Sequence, residues 1–158
     1  MAKNIHQWIS SYGESHRNST NKKIHWICVP LIMFTLLGLL SLVKFNISLN
    51  ENTYDINLSY MLIVLALIFY LKLSILISIG MFLISAIQLL LIFYLEGLLS
   101  EWNLFLIYIS IFVVAWIGQF IGHKIEGEKP SFFEDLQFLL IGPAWLLSFI
   151  YNKIGIKY

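Results

Sequence analysis

The sequence predicts an all-α, multi-pass integral membrane protein. It reads as a helical bundle of about four transmembrane helices, with an N-terminal amphipathic helix and a C-terminal re-entrant or interfacial helical segment. Three observations carry this reading. Charge is scarce, 12% of residues against about 25% in soluble domains. Apolar residues dominate, at 59%, and mean hydropathy is +0.80. The apolar residues also fall into runs of bilayer length separated by short polar stretches. The 158 residues make one membrane domain, 1–158. A net charge of +1 leaves no basic face for nucleic acid. The single cysteine, Cys28, lies inside an apolar run and reads as a small buried hydrophobe, with no disulfide framework.

The elements follow in order. Residues 2–15 carry Ile5, Trp8, Ile9 and Tyr12 at spacings of three and four, the pattern of a short helix lying on a membrane surface. Residues 1–23 are polar and show no cleavable signal peptide. The stretch Arg17 to Asn21 is a turn, and Ser19 or Thr20 can cap the helix after it. Ile24 to Val43 holds no charge and is long enough for a first span, with Pro30 expected to bend it. Lys44 to Asn57 is rich in Asn and Ser and reads as a loop. Leu58 to Leu95 carries one charge, Lys72, and suits two spans joined by a tight turn near Leu71 to Ser74, the first of them short. Glu96 to Asn103 is a second polar loop, and Leu104 to Ile121 is the fourth span. Gly118 and Gly122 form a GxxxG pair that lets another helix approach closely. Gly127 to Pro130 breaks the chain. Phe132 to Tyr151 is apolar but holds Glu134, Asp135 and Pro143, which fits a re-entrant or interfacial helical hairpin or a poor fifth span.

Charge gives the expected topology. With four spans, one side holds Lys3, Arg17, Lys22, Lys23, Lys72, Lys124, Lys129, Lys153 and Lys157, and the other holds Lys44 alone. The positive-inside rule then puts both termini in the cytoplasm, across a bacterial inner membrane or an endoplasmic reticulum membrane.

The chemistry-bearing residues gather at that same face. Asn21 and His25 are four apart on the first turns of span one. Trp116, Gln119, His123 and Glu126 share one face of span four and its extension. His16, on the preceding turn, can fold over them, while His6 reads as an interfacial residue. Three imidazoles with or without a carboxylate suit Fe(II) or Zn(II). The expected metal ligands are His16, His25 and His123, with Glu126 fourth. Asn21, Gln119 and Glu126 are the expected catalytic-site residues. Asn21 and Gln119 serve as donors that orient the ligands, and Glu126 either ligates or accepts a ligand's second N–H. Arg17, Lys22 and Lys124, with Lys23 and Lys129 beside them, form a candidate clamp for an anionic lipid head. Spacing alone leaves the plainer reading open, in which these are interfacial histidines and topology-setting cations.

Two ordered motifs are more specific than the spacing. Tyr12, His16, Asn21, His25 and Pro30 form the first, and Ala115, Trp116, Gln119, Phe120, Gly122, His123, Glu126, Gly127 and Pro130 form the second. A later GPAWLL spans Gly142 to Leu147. On these residues the chain resembles the 2-hydroxy fatty acid dioxygenase family, known from fungal α-oxidation, over nearly its whole length. Ser131 stands where that family often has alanine. The resemblance implies a multi-pass membrane enzyme that uses Fe(II) and O2 to remove one carbon from a 2-hydroxy fatty acid. It also implies that His16, His25 and His123 are essential. Its partners would be the 2-hydroxy fatty acid, O2 and membrane lipid, and a homo-oligomer is compatible with the sequence. Two other classes fit the same residues: a metal-dependent lipid hydrolase, and a non-enzymatic lipid-binding or scaffold protein.

Overall fold

The computed structural model describes residues 3–49, 52–127 and 132–158, with the side chains of 49, 52, 53 and 132–137 left out of the description. Six helices and one β-hairpin follow in chain order: α1 (Ile5–Glu14), α2 (Ser19–Ser41), β1 (Lys44–Leu49), β2 (Asn52–Asn57), α3 (Leu58–Leu73), α4 (Ile75–Glu96), α5 (Glu101–Glu126) and α6 (Phe132–Ile154). The all-α membrane class holds. Among the described residues α2, α4 and α5 are long and apolar enough to cross a bilayer. The 16 residues of α3 reach only about 24 Å at helical rise, short of a hydrocarbon core of about 30 Å. This is the short member of the expected pair, and the break falls at Ser74, whose side chain accepts from the Ile77 N–H to start α4.

Four expectations are refined. The first helix is capped by Asn4, whose side chain accepts from the Gln7 N–H at 2.9 Å while the Gln7 side chain accepts from the Asn4 N–H, a reciprocal box. The cap of α2 is Asn18 rather than Ser19 or Thr20. Its side chain accepts from the Thr20 and Asn21 N–H groups, and Ser19 and Thr20 become the first helical residues. The expected loop from Lys44 to Asn57 contains an antiparallel hairpin. Phe45 pairs with Ile56 and Ile47 with Tyr54, so alternation puts four apolar side chains on one face. Finally, α6 is one continuous helix through Pro143 rather than a hairpin. Lys129 and Ser131 lie outside the described residues, as do the Glu134 and Asp135 side chains.

The bundle is set by the antiparallel pair α2 and α5. Gly118 faces Cys28, where an added Cβ would stand 2.7 Å from the sulfur, and Gly122 sits against Asn21 and His25. Gly38 of α2 lies under the Tyr108 ring of α5 in the same way. The expected close approach at the GxxxG pair is therefore real, and Cys28 is the buried filler it was read to be. At the far end Ser41 Oγ donates to Glu96 at 2.7 Å. α6 packs at the near end: Trp145 and Ile141 bury against Tyr12 and Val29, the Tyr70 hydroxyl donates to the Leu140 carbonyl, and the Tyr151 hydroxyl donates to the Leu76 carbonyl. These partners belong to α1, the first half of α2, the end of α3 and the start of α4. α6 thus covers one end of the bundle and closes over the start of α2.

Candidate metal centre

The site is built where α2 begins and α5 ends. His16 follows α1, two residues before the Asn18 cap, and is 2% exposed. Its Nδ1–H donates to the Tyr12 carbonyl at 2.6 Å. His25, fully buried, donates from Nδ1 to the Asn21 carbonyl at 3.0 Å. A carbonyl can only accept, so both rings must carry the proton on Nδ1 and present a bare lone pair at Nε2. Both Nε2 atoms are buried without a hydrogen-bond partner. An orphaned buried acceptor costs about 1–3 kcal/mol, and two at one point would be hard to retain without a ligand.

They do share one point. The rings of His16 and His25 lie 4.2 Å apart by centroid, and His123 stands 5.4 and 5.1 Å from them. One nitrogen from each of the three lies within 4.8 Å of the others. Imidazole nitrogens at about 2.0–2.1 Å from one ion would stand roughly 3–3.5 Å apart, so a contraction of at most about 1.3–1.8 Å closes the triangle. Burial pushes the His16 imidazole down to about 4, so at neutral pH the ring is neutral, the form that metal ligation requires. Tyr12 stacks on the His16 ring at 4.2 Å and 11°, and Trp145 flanks it at 5.3 Å. The donor set fits a transition metal ion, and its three imidazoles suit Fe(II) and Zn(II) alike.

A cavity of about 140 Å³ opens beside the histidines, with His16, His123, Gln119 and Ser15 in its wall, and continues between α2 and α3. A family model described as 2-hydroxy-palmitic acid dioxygenase Mpo1-like matches residues 2–154. The chain belongs to the Mpo1-like family. No curated protein and no solved structure matches it.

The other expected site residues of this Mpo1-like chain fall into two groups. Asn21, Gln119 and Glu126 are at the centre. Gln119 is 7% exposed and lines the cavity, while Asn21 is fully buried, one turn before His25. Glu126 has hydrogen-bond partners of its own. Its carboxylate accepts from the Arg17 N–H at 2.7 Å, the Asn18 N–H at 2.9 Å and the Asn21 Nδ2 at 2.9 Å. With three donors on its two oxygens, it clasps the turn that carries His16 and lies outside the converging triad. Arg17, Lys22 and Lys124 stand at the surface next to the site and outside the cavity wall, with Lys22 the most sheltered. Reading by spacing did not single out Trp145 as a site residue. Its signal lay in the GPAWLL stretch, which brings it against His16 only because α6 folds back over α1.

The clasp gives a graded prediction. Glu126→Gln keeps the shape but turns an NH2 group toward backbone donors. Metal affinity should fall by roughly 10–100-fold, the range for groups that hold ligands in place. Isothermal titration of metal into the variant checks this; affinity equal to wild type would show that the clasp does not position His16.

Proposed function

We propose that the protein is an Fe(II)-dependent membrane dioxygenase that shortens 2-hydroxy fatty acids by one carbon. The observation that supports this most directly is the pair of buried, partnerless Nε2 atoms of His16 and His25 facing His123. The family's description as a dioxygenase favours the redox-active ion over zinc. His16, His25 and His123 would hold Fe(II), which would supply redox chemistry with O2.

The reaction balances without an outside reductant. RCH(OH)COOH and one O2 give RCOOH, CO2 and water. The C1–C2 bond breaks, C2 becomes the new carboxyl, and the four electrons lost by C1 and C2 reduce O2. The chain's own residues prepare the site. The Tyr12 and Asn21 carbonyls fix which nitrogen of His16 and His25 faces inward. The Glu126 clasp holds the His16 turn, and the Gln119 amide, in the cavity wall beside His123, would hydrogen-bond a polar head entering there. Tyr12, Trp145 and Phe138 cover the site and limit water. Arg17, Lys22 and Lys124 attract the carboxylate toward the entrance.

Metal analysis of anaerobically purified protein, with O2 consumption on 2-hydroxy fatty acids, tests the reading. Stoichiometric zinc with O2-independent lipid hydrolysis would replace it with the hydrolase, and no metal at all with the scaffold. In the accompanying topology both termini lie in the cytoplasm. Reporter tags at Met1 and Tyr158 should give the same cytoplasmic signal and a tag in the Lys44–Asn57 hairpin the opposite one. A C-terminal tag on the far side would overturn that topology.

A further inference from the structure

The cavity is longer than the metal site needs. From the wall at His16 and His123 it follows α2 past Val29, Ile32 and Met33 to Leu37, with α3 on its other side. From the level of His25 to Leu37 is about 18 Å at about 1.5 Å of rise per residue. Its deep half is apolar apart from Ser85. It ends at Leu37, Leu62 and Ile63. All three belong to a cluster backed by Ile92, Leu104 and Tyr108, and Leu37 is only 2% exposed. At this end Leu37 is buried, while Leu62 and Ile63 are half-buried and pack against the same cluster.

We propose that this passage is a chain-length ruler: the substrate's alkyl tail lies along α2 with its polar head at the histidines, and the floor of Leu37, Leu62 and Ile63 sets the longest tail accepted. The proposal rests on the lipid-substrate reading above and adds the residues that select among substrates. An all-trans chain advances roughly 1.25 Å per C–C bond of about 1.5 Å, so the 18 Å of helix sets an upper bound of about 14 carbons beyond the head. Each methylene that leaves water gains about four-fold in affinity, and the gain must stop where the floor is met. Ala66 of α3 lines the passage between the histidines and the floor, so it is where a larger side chain would shorten it.

The test uses the full-length, metal-loaded protein in lipid nanodiscs and a series of saturated straight-chain 2-hydroxy fatty acids. Binding is read under argon by displacement of a fluorescent fatty acid, so that no turnover occurs. Wild type should show affinity rising with length and then breaking. Ala66→Phe should move the break to shorter acids by several methylenes, and Leu62→Ala should move it to longer ones. A general loss of stability would shift both variants in one direction, which the opposed substitutions distinguish. Affinity that rises without a break, or a break that neither variant moves, overturns the ruler. A ruler that binds selectively in a protein that never consumes O2 would overturn the dioxygenase reading instead and leave this inference standing.

Discussion

Replacing His25 by alanine should abolish metal binding and, with it, every dependence of stability on metal. The argument is about an orphaned atom. In the wild-type protein without metal, the His16 and His25 Nε2 atoms are buried with no partner, a cost of about 1–3 kcal/mol each. Metal removes that cost and adds its own binding energy, about 2.7 kcal/mol of stability at a hundred-fold excess over Kd. Chelation should therefore lower the wild-type Tm by several degrees. In His25→Ala the triangle has lost a corner that is fully buried and cannot be replaced by a neighbour, so chelation should leave Tm unchanged and activity should fall to background. His6→Ala is the control, since His6 is exposed and stacks on Tyr158 well away from the triad. A His25→Ala protein that still bound one metal per chain would end the proposed centre.

Gly122→Ala should damage the same site without removing any functional atom. A Cβ at Gly122 would run into Asn21 Oδ1 and stand 3.3 Å from His25 Cε1. Neither neighbour can yield. The Asn21 amide is held by Glu126 and the Ser15 carbonyl, and the His25 ring is held by the Asn21 carbonyl. The helices must separate, at about 1–3 kcal/mol for an overpacked contact, and His25 moves away from His123. Thermal stability should drop and metal affinity should fall at least about ten-fold, by analogy with other losses of ligand positioning. Gly97→Ala, at a helix end with nothing nearer than 3.5 Å, should change neither. Equal behaviour of the two variants in Tm and metal stoichiometry would refute this account.

The bundle and the triad were legible in the sequence because both rest on rules that act along the chain. Runs of twenty apolar residues can only span or be buried. Imidazoles on the first turns of one span and the last of another meet whenever the number of crossings between them is even. The hairpin was missed because the Asn and Ser of residues 44–57 signal a loop, although Phe45, Ile47, Tyr54 and Ile56 alternate as strands do. The Glu126 clasp was hidden for a different reason. A carboxylate one turn from His123 looks like a ligand, and only the arrival of the Arg17 and Asn18 backbone, more than a hundred residues distant in sequence, uses its lone pairs first. The ruler was illegible because it is a gap, and a gap depends on which side chains fail to meet.

The pairing of α2 with α5 also dictates an order of biosynthesis. A ribosome delivers the first span long before the last, so Asn21 and His25 enter the bilayer boundary with their eventual neighbours still untranslated. Their place at the very start of α2 keeps them near water during that wait, where unpaired polar groups are inexpensive. Only when α5 follows can Gly122 seat against them and Glu126 reach the His16 turn. A metal ion held by the proposed centre would therefore load only after α5 is in place, because His123 is the last of the three histidines to be made.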